Sequence, residues 1–288
     1  MTSRFVVVDG LNIVYRSFYA IRHLSTSAGR PTNAVYGFIK TIMQMERLWN
    51  PAYCLVVFDG GLPPERLKLL SSYKAQRPAM PEELREQLPS IEEYLDCASI
   101  PRIRLEQKEA DDVIASAAVK AESHCRDVLI MTADKDLMQI ISKNISLLIP
   151  GKADKKINSQ EVFQKTGVTP AQIVDWLALT GDSSDNIPGV PGVGPKTAAN
   201  WLRQFGSLNA IWTHLQELKP DRLRQALIDH LDIVERNVKL VKLEAKLNCF
   251  ENIDQLKLRK KDFARLIHFF EQMEFHSLVK NLHNLFIA

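Results

Sequence analysis

Nine carboxylates stand at positions from which a fold could bring them together. Three of them end or closely follow short apolar runs, a fourth lies two residues beyond the last of these, and the other five form two groups that each span four residues. The full set is Asp9, Asp59, Glu109, Asp111, Asp112, Asp134, Asp136, Asp182 and Asp185. Carboxylates at close range raise one another's pKa, so a shared site requires bound cations.

The chemistry that these residues could support is metal-assisted hydrolysis. Ligand sets made only of oxygen select hard ions, Mg²⁺ or Mn²⁺, over zinc. Two such ions roughly 3.5–4 Å apart are the arrangement with which many nucleases cleave phosphodiesters. One ion lowers the pKa of the attacking water, and both stabilise the in-line transition state.

Each acidic group also has an ordinary structural explanation. Acids at 109–112 could simply favour the start of a helix, through its dipole. Asp136 alone could be the N-cap of a helix over Leu137–Ile141. Asp182 and Asp185 could make Asx turns. The metal hypothesis therefore depends on all the groups converging.

A glycine-rich loop over 189–197 resembles a nucleotide-binding loop at first sight. Its sequence, GVPGVGPKT, has Pro195 where a Walker A motif requires lysine, and it follows a turn rather than a strand. We expect a hairpin between helices whose amides, with the start of a helix at Pro195, face a phosphate. Such a loop holds the backbone of a nucleic acid without reading bases. A plain turn between helices would need one glycine rather than three.

The elements that must position these residues form an α/β pattern. Short apolar runs at Phe5–Val8, Cys54–Phe58 and Val128–Met131 predict buried parallel strands. Helical patterns between them cover Ala34–Trp49, Pro81–Asp96 and Glu109–Glu122. Ligands bind such sheets at the carboxyl ends of the strands, where the acids fall.

The second half of the chain has mainly helical patterns. They are Asn158–Thr166, Pro170–Thr180, Pro195–Phe205, Leu208–Leu218, Asp221–His230, Ile233–Leu247 and Asp262–Phe275, with N-caps expected at Thr169 and Asp262. We therefore predict a catalytic α/β domain over 1–165 and a helical domain over 166–288. Residues 63–108 form a long excursion between strands, basic at both ends, of a length that is usually functional.

Composition excludes several classes of protein. The 288 residues are 45% hydrophobic and 25% charged, as in globular proteins, which excludes a disordered, collagen-like or coiled-coil chain. Four cysteines without CxxC spacing indicate neither a zinc site nor a disulfide framework. No apolar run suggests a signal peptide or a membrane span. We expect a cytoplasmic protein with no membrane association.

Six motifs, in this order, resemble those of bacterial 5′→3′ exonucleases. They are VVVDGLNIVYR (6–16), VVFDG (56–60), SYKAQRPAMP (72–81), EADDVIA (109–115), TADKDLMQI (132–140) and GDSSDNIPGVPGVGPKTA (181–198). These flap-endonuclease-like enzymes also form the N-terminal domain of DNA polymerase I. The resemblance implies a PIN/5′-nuclease-like fold with a helix–three-turn–helix DNA-binding region, as a stand-alone nuclease without a polymerase.

The resemblance also implies roles for individual residues. Asp9, Asp59, Glu109, Asp111, Asp112 and Asp134 would serve a first metal site, and Asp136, Asp182 and Asp185 a second one that could share Asp134. Lys74, Arg77 and Asp134 would be catalytic, the first two being basic arch residues near the scissile phosphate within 63–108. DNA would be bound by Arg16, Tyr73, Lys74, Arg77, Gly189, Gly192, Gly194, Lys196 and Thr197. A K⁺ ion at the glycine loop is a further expectation.

Three of these roles have plainer alternatives. Tyr73 could stack on a terminal base or simply pack in a half-buried position. Lys74 and Arg77 could lie on a solvated face.

A phosphatase of the haloacid-dehalogenase type would need Asp-x-Asp, which is absent after Asp9 and Asp59. A non-catalytic DNA-binding scaffold would be expected to lose carboxylates, whereas all nine are present.

With these assignments, the small net charge divides into an acidic site and a basic remainder of the chain. Lys and Arg number 37 against 34 acids, a net charge of +3. Without the nine proposed ligands, 25 acids remain and the balance is +12. We therefore expect an acidic metal site within a basic surface, a monomer, and DNA with 5′ ends, flaps or nicks as partner. The sequence leaves open the balance of exonuclease and flap endonuclease activity, and a preference for RNA primers.

Overall fold

One six-stranded sheet forms the centre of the molecule. The computed structural model describes residues 3–287, without the side chains of residues 153, 154 and 283–287. The strands are β1 (Arg4–Asp9), β2 (Tyr53–Val57), β3 (Arg102–Ile103), β4 (Asp127–Met131), β5 (Ile145–Ile149) and β6 (Lys152–Ile157). Their order is β3-β2-β1-β4-β5-β6, and only the β5–β6 pair is antiparallel. The prediction of a mostly parallel sheet is confirmed.

The three strands expected from apolar runs form the middle of this sheet. Val8 of β1 is in register with Val56 of β2 and with Met131 of β4. Parallel strands in this register end together. The carboxyl ends of β1, β2 and β4 therefore lie side by side, and one of the predicted acids stands at or just after each of these ends.

Three strands were not expected from the sequence, for identifiable reasons. β3 has only two residues, too few for a pattern. In β5 the apolar run is interrupted by Ser146. β6 has the sequence KADKKI, whose charges suit an exposed edge strand that must avoid pairing with other chains.

Fourteen helices are found among the described residues, and they cover both faces of the sheet. They are α1 (Gly10–Ala20), α2 (Asn33–Trp49), α3 (Pro64–Leu69), α4 (Glu82–Arg85), α5 (Leu88–Cys97), α6 (Ala110–Glu122), α7 (Ser159–Thr166), α8 (Ile173–Thr180), α9 (Pro195–Phe205), α10 (Leu208–Thr213), α11 (Asp221–Asp229), α12 (Leu231–Val241), α13 (Phe263–Gln272) and α14 (His276–Ile287). Short 3₁₀ helices cover Asp136–Ile140, Pro170–Gln172, Ser183–Asp185, Leu215–Glu217 and Ile253–Leu256. A two-stranded ribbon joins β7 (Gly181–Asp182) to β8 (Ile187–Pro188).

Most predicted helices are present, and Thr169 and Asp262 are N-caps as expected. Four predictions need correction. The helix expected over Leu208–Leu218 is divided into α10 and the 3₁₀ helix over Leu215–Glu217. The helix expected over Pro81–Asp96 is divided into α4 and α5. The helix expected to run to Leu247 ends at Val241, because side chains of α6 bind the extended backbone beyond it. Asp136 is the first residue of its 3₁₀ helix, and Lys135 is the cap.

Side chains of β1 alternate between two hydrophobic cores. Phe5 and Val7 pack with α6, α8, α9 and α12 on one face of the sheet. Val6 and Val8 pack with α1, α2, α5 and α13 on the other face. This period of two is that of a strand buried on both sides. The last two helices thus return to the α/β half of the chain.

The excursion over 63–108 is largely packed into the body. Ile91 and Tyr94 of α5 are buried against α2, and β3 joins the sheet beside β2. The longest run of exposed residues at its centre is Ala75–Ala79. Within residues 3–287, no helix is long and apolar enough to cross a membrane.

Candidate active site

Five of the predicted ligands line one cavity at the carboxyl edge of the sheet. Its volume is about 380 Å³. The acids in its wall are Asp9, Asp59, Glu109, Asp111 and Asp134. Asp9 ends β1, Asp59 follows β2, and Asp134 follows β4, so the common end of the three strands brings these side chains together.

Hydrogen bonds hold the acids that follow the strands. Oδ1 of Asp9 accepts from the amide of Asn12 at 3.1 Å, which caps α1, and Oδ2 accepts from the Thr132 hydroxyl at 2.8 Å. The same hydroxyl oxygen accepts from the amide of Asp134 at 3.0 Å. Asp59 accepts from the amide of Gly61 at 2.8 Å. Asp9 and Asp134 are therefore fixed relative to each other through one threonine.

The remaining acids of the second predicted site form a separate group. Carboxylate oxygens of Asp136, Asp182 and Asp185 lie within 4.8 Å of one another, and all three residues are buried. Asp182 accepts from the amide and hydroxyl of Ser184 and from Lys135, whose Nζ lies 3.0 Å away. Oδ1 of Asp136 is buried without a hydrogen-bond partner. These three carboxylates could hold a metal ion, which would satisfy that oxygen.

The two groups of acids are electrostatically strained without cations. Burial, with the charges of Asp134 and Asp59, raises the pKa of Asp9 to about 6. Burial and the charges of Asp134 and Asp9 raise the pKa of Asp111 well above its usual range. Burial and neighbouring aspartates do the same to Asp136. Bound divalent ions would relieve this repulsion.

Two basic residues of the excursion reach these acids. Lys74 lines the cavity, contacts Glu109, and places Nζ 3.4 Å from Asp185. Arg77 also lines the cavity and places Nη2 2.7 Å from Asp185. Burial opposes ionisation of Glu109, but Lys74 and Arg66 outweigh it and lower its pKa.

Base stacking requires an exposed ring face, whereas the Tyr73 ring is buried. Only 3% of it is exposed, and its hydroxyl donates to Glu109 at 3.0 Å and approaches Asp185 at 3.3 Å. No face of the ring is open to a base in this structure. Of the two alternatives for Tyr73, the structure favours packing over stacking, because the ring is buried and the Lys74 ammonium lies 5.0 Å from its centroid.

Asp112 is the one predicted ligand that lies in neither group. Both of its carboxylate oxygens accept from Arg66, at 2.8 and 2.9 Å. It is absent from the wall of the cavity. Helical geometry explains this, since neighbouring residues on a helix point about 100° apart. Asp111 faces the cavity, so Asp112 does not.

The predicted DNA-binding loop lies between β8 and α9. Its first glycine, Gly189, passes so close to the backbone of Thr180 that an added Cβ would lie 2.2 Å from the Thr180 carbonyl oxygen. Gly192 has φ +79°, and Gly194 starts α9 without a side-chain cap. Lys196 is exposed and Thr197 half-buried. The loop thus presents α9's uncapped amides beside Lys196.

Two further residues on α1 differ from expectation. Arg16 is exposed, with its guanidinium against Gly151, and it is absent from the wall of the acidic cavity. Tyr15 lines that cavity, and its ring stacks on exposed Tyr19 with centroids 6.5 Å apart. Tyr15 was not among the residues expected at the site. A helix capped by Asp9 would have indicated it, because Asn12 and Tyr15 are three residues apart and share one face of that helix, the face that lines the cavity.

Family models match nearly the whole chain. Residues 4–167 match a 5′-3′ exonuclease N-terminal resolvase-like domain, and residues 168–264 match a 5′-3′ exonuclease C-terminal SAM fold. The chain is 40% identical over 283 residues to a 5′-3′ exonuclease of Aquifex aeolicus, covering 97% of this chain and 95% of that protein. It is also 40% identical over 276 residues to the thermostable DNA polymerase I of Thermus aquaticus, covering 96% of this chain and 32% of the polymerase.

Solved structures share the fold at lower identity. The T5 D15 protein co-crystallised with metal ions has a TM-score of 0.71 at 23% identity, covering 94% of this chain and 98% of that one. The catalytic core of Rad2 in complex with DNA substrate has a TM-score of 0.64 at 17% identity, covering 94% and 88%. With both family models matched in order and a full-length relative 40% identical, the chain belongs to the 5′-3′ exonuclease family of nucleases.

Proposed function

We propose that this protein is a divalent-metal-dependent 5′→3′ exonuclease and flap endonuclease that hydrolyses DNA near 5′ ends, flaps or nicks. One observation carries the proposal: the carboxylates at the strand ends meet in a cavity beside a second, tightly grouped set of three. Bound metal ions would offset the repulsion between so many closely placed carboxylates. The solved relatives include a T5 flap endonuclease complex with DNA and metal ions.

We propose two Mg²⁺ or Mn²⁺ ions, one for each group of carboxylates. Asp9, Asp59, Glu109, Asp111 and Asp134 would hold the first ion, and Asp136, Asp182 and Asp185 the second. The residues fit hard cations, because every candidate ligand is an oxygen and Oδ1 of Asp136 is buried without a partner. The ions would supply an activated water and neutralise the phosphate. A K⁺ ion at the glycine loop is a further part of the proposal.

The chain's own residues would orient the scissile phosphate. Lys74 and Arg77 line the same cavity as the acids and would attract and orient a phosphate there. Tyr15 offers an aromatic ring at the cavity wall on which a base could stack. The amides at the start of α9, with Lys196, would hold the backbone of the adjoining duplex.

The organisation of the whole molecule is proposed on the same basis. Catalysis would belong to residues 1–165 and duplex binding to 166–288, with α13 and α14 returning to pack on the first part. The residues within 63–108 that approach the substrate would be those near Lys74 and Arg77. We further propose a monomer in the cytoplasm, serving DNA replication or repair.

A map of product lengths tests the activity. The substrates are matched 5′-labelled flap, nicked and blunt duplexes with Mg²⁺, and a flap with RNA at its 5′ end. Release of the flap as one fragment and of short products from the nick is expected. A uniform ladder from all substrates, or 5′-labelled strands that shorten progressively from their 3′ ends, would contradict the proposal.

A further inference from the structure

The carboxylate of Asp112 lies outside the wall of the acidic cavity and is already bound by a buried cation and a main-chain amide. Its Oδ1 accepts from Arg66 at 2.8 Å and from the amide of Glu244 at 2.9 Å, while its Oδ2 accepts from Arg66 at 2.9 Å. Only 2% of Asp112 and 8% of Arg66 are exposed. Glu109 also contacts Arg66, but it lines the acidic cavity, whereas Asp112 does not. A metal bound by Asp112 would take this carboxylate away from the guanidinium and leave a buried cation short of a partner, which is unfavourable.

Arg66 joins three parts of the chain at this point. It lies on α3 within the excursion, and it contacts Glu109 and Asp112 at the start of α6. Its Nη2 also approaches the carbonyl of Lys242 at 3.4 Å, just beyond α12. An arginine guanidinium keeps its charge in proteins, so Arg66 is a buried cation at this junction.

The extended segment 242–250, which we name the strap, lies along one face of α6. Side chains at intervals of four residues bind its backbone. Asp112 accepts from the amide of Glu244, Ser116 donates to the Glu244 carbonyl at 2.7 Å and accepts from the Leu247 amide at 3.0 Å, and Lys120 contacts the Phe250 carbonyl. Positions four apart lie on one face of a helix, so this face is used along its length to hold the strap.

We propose that Asp112 is a positioning residue rather than a metal ligand. With Arg66 it fastens the strap to the start of α6, where Glu109 and Asp111 lie. The strap continues directly from α12, which packs on α8, the helix before Asp182. The acids of the cavity and the helices proposed to hold the duplex are thereby kept in one arrangement. This inference rests on the proposed metal-dependent function.

The test compares Asp111→Asn with Asp112→Asn in the full chain. Mn²⁺ binding is measured by calorimetry, kcat for cleavage of a flap by steady-state kinetics, and protection of the strap by hydrogen exchange. We expect Asp111→Asn to weaken Mn²⁺ binding at least about tenfold and to leave strap protection unchanged. Asp112→Asn should weaken Mn²⁺ binding less than about threefold. It should also expose the amides of Glu244 and Leu247 to exchange and lower kcat about tenfold or more.

A second variant keeps the test valid if Asp112→Asn does not fold. Ser116→Ala removes two strap contacts four residues away and should lower strap protection and kcat without changing Mn²⁺ affinity. The inference is overturned if Asp112→Asn weakens Mn²⁺ binding as much as Asp111→Asn does, or if neither strap variant alters protection or kcat. Failure of the proposed function is a separate result, in which the wild-type protein neither binds Mn²⁺ nor cleaves the flap.

Discussion

The Nζ atom of Lys74 lies 3.4 Å from Oδ2 of Asp185, and the main-chain amide of Lys74 donates to the Asp185 carbonyl at 3.0 Å. Two contacts between one pair of residues tie the turn of the excursion to the second group of acids. Since Lys74 also lines the cavity of the first group, its ammonium is held between both groups. A cation in that place can stabilise charge that develops on a phosphate.

Removal of this ammonium should impair the chemical step. We expect Lys74→Ala to lower the single-turnover rate of flap cleavage about a hundredfold or more, with a much smaller change in substrate binding. Arg77→Ala is the matched comparison, because the Arg77 side chain is 51% exposed and contacts only Asp185 among the acids. It should weaken binding more than it slows cleavage. A Lys74→Ala protein with the wild-type rate would exclude this role.

Replacement of Asp136, whose buried Oδ1 has no hydrogen-bond partner, should raise the stability of the metal-free protein and lower its activity. Asp136→Asn removes a buried like charge, so the metal-free protein should become more stable, by about 1 kcal/mol or more. The same variant should lose Mg²⁺-dependent stabilisation and cleave the flap more slowly. Thermal melting in EDTA and in Mg²⁺ measures both effects.

The control for Asp136→Asn is Asp221→Asn. Unlike Asp136, Asp221 has an exposed side chain (64%) that pairs with both Lys219 and Arg224. Its replacement should leave stability nearly unchanged, as for other exposed pairs. A metal-free Asp136→Asn protein that is less stable than the wild type would contradict the repulsion inferred among Asp136, Asp182 and Asp185.

The raised pKa of Asp9 predicts how stability depends on pH without metal. Because the pKa rises from 3.8 to about 6 on folding, the folded state binds more protons than the unfolded state within that interval. Stability should therefore fall as pH rises from about 4 to about 6. In EDTA, the melting temperature should be a few degrees lower at pH 7.5 than at pH 5, and Mg²⁺ should remove the difference.

Asp9→Asn provides the internal check on this pH dependence. The variant should show a smaller decrease in melting temperature over the same interval, because one of the groups that takes up protons on folding is gone. Groups whose pKa is lowered on folding, such as Glu109 and Asp182, have the opposite effect, because their stabilisation is lost as pH falls below their ordinary pKa values of 4.5 and 3.8. The comparison of pH 5 with pH 7.5 lies above both values. A melting temperature in EDTA that increases from pH 5 to pH 7.5 would contradict the account.

Lys196 tests the proposed duplex contact. Lys196→Ala should weaken duplex binding equally for unrelated sequences, and should reduce the slope of log K against log salt by about 1. Lys260→Ala is the control, an exposed lysine in the segment before α13. Fluorescence anisotropy over a salt series measures both. A loss confined to certain base sequences would show that the loop does more than hold the backbone.

Much of the site could be predicted because its positions are set by local pattern. The apolar runs of β1, β2 and β4 predict parallel strands, and parallel strands end at one edge, so Asp9, Asp59 and Asp134 had to be neighbours. Asp111 follows from the start of α6. These inferences need no knowledge of how distant side chains pair.

The remainder depends on tertiary contacts that no local pattern shows. Asp112 differs from Asp111 only in which way it points on α6, and its partner Arg66 lies in another part of the sequence. The residues after Val241 continue a helical pattern, but their backbone amides and carbonyls are bound by α6 instead. Tyr73 is buried because its turn packs onto Glu109. Burial and orientation of this kind require the folded structure.

The central claim is that metal ions held by the converging carboxylates cleave 5′-ended DNA. The most direct measurement is release of product from a 5′-labelled flapped duplex by wild type and by Asp134→Asn, each with Mg²⁺ and with EDTA. We predict short labelled product from the wild type in Mg²⁺ alone, and a rate at least about a hundredfold lower for Asp134→Asn. Equal rates for the two proteins, or wild-type cleavage that persists in EDTA, would contradict it.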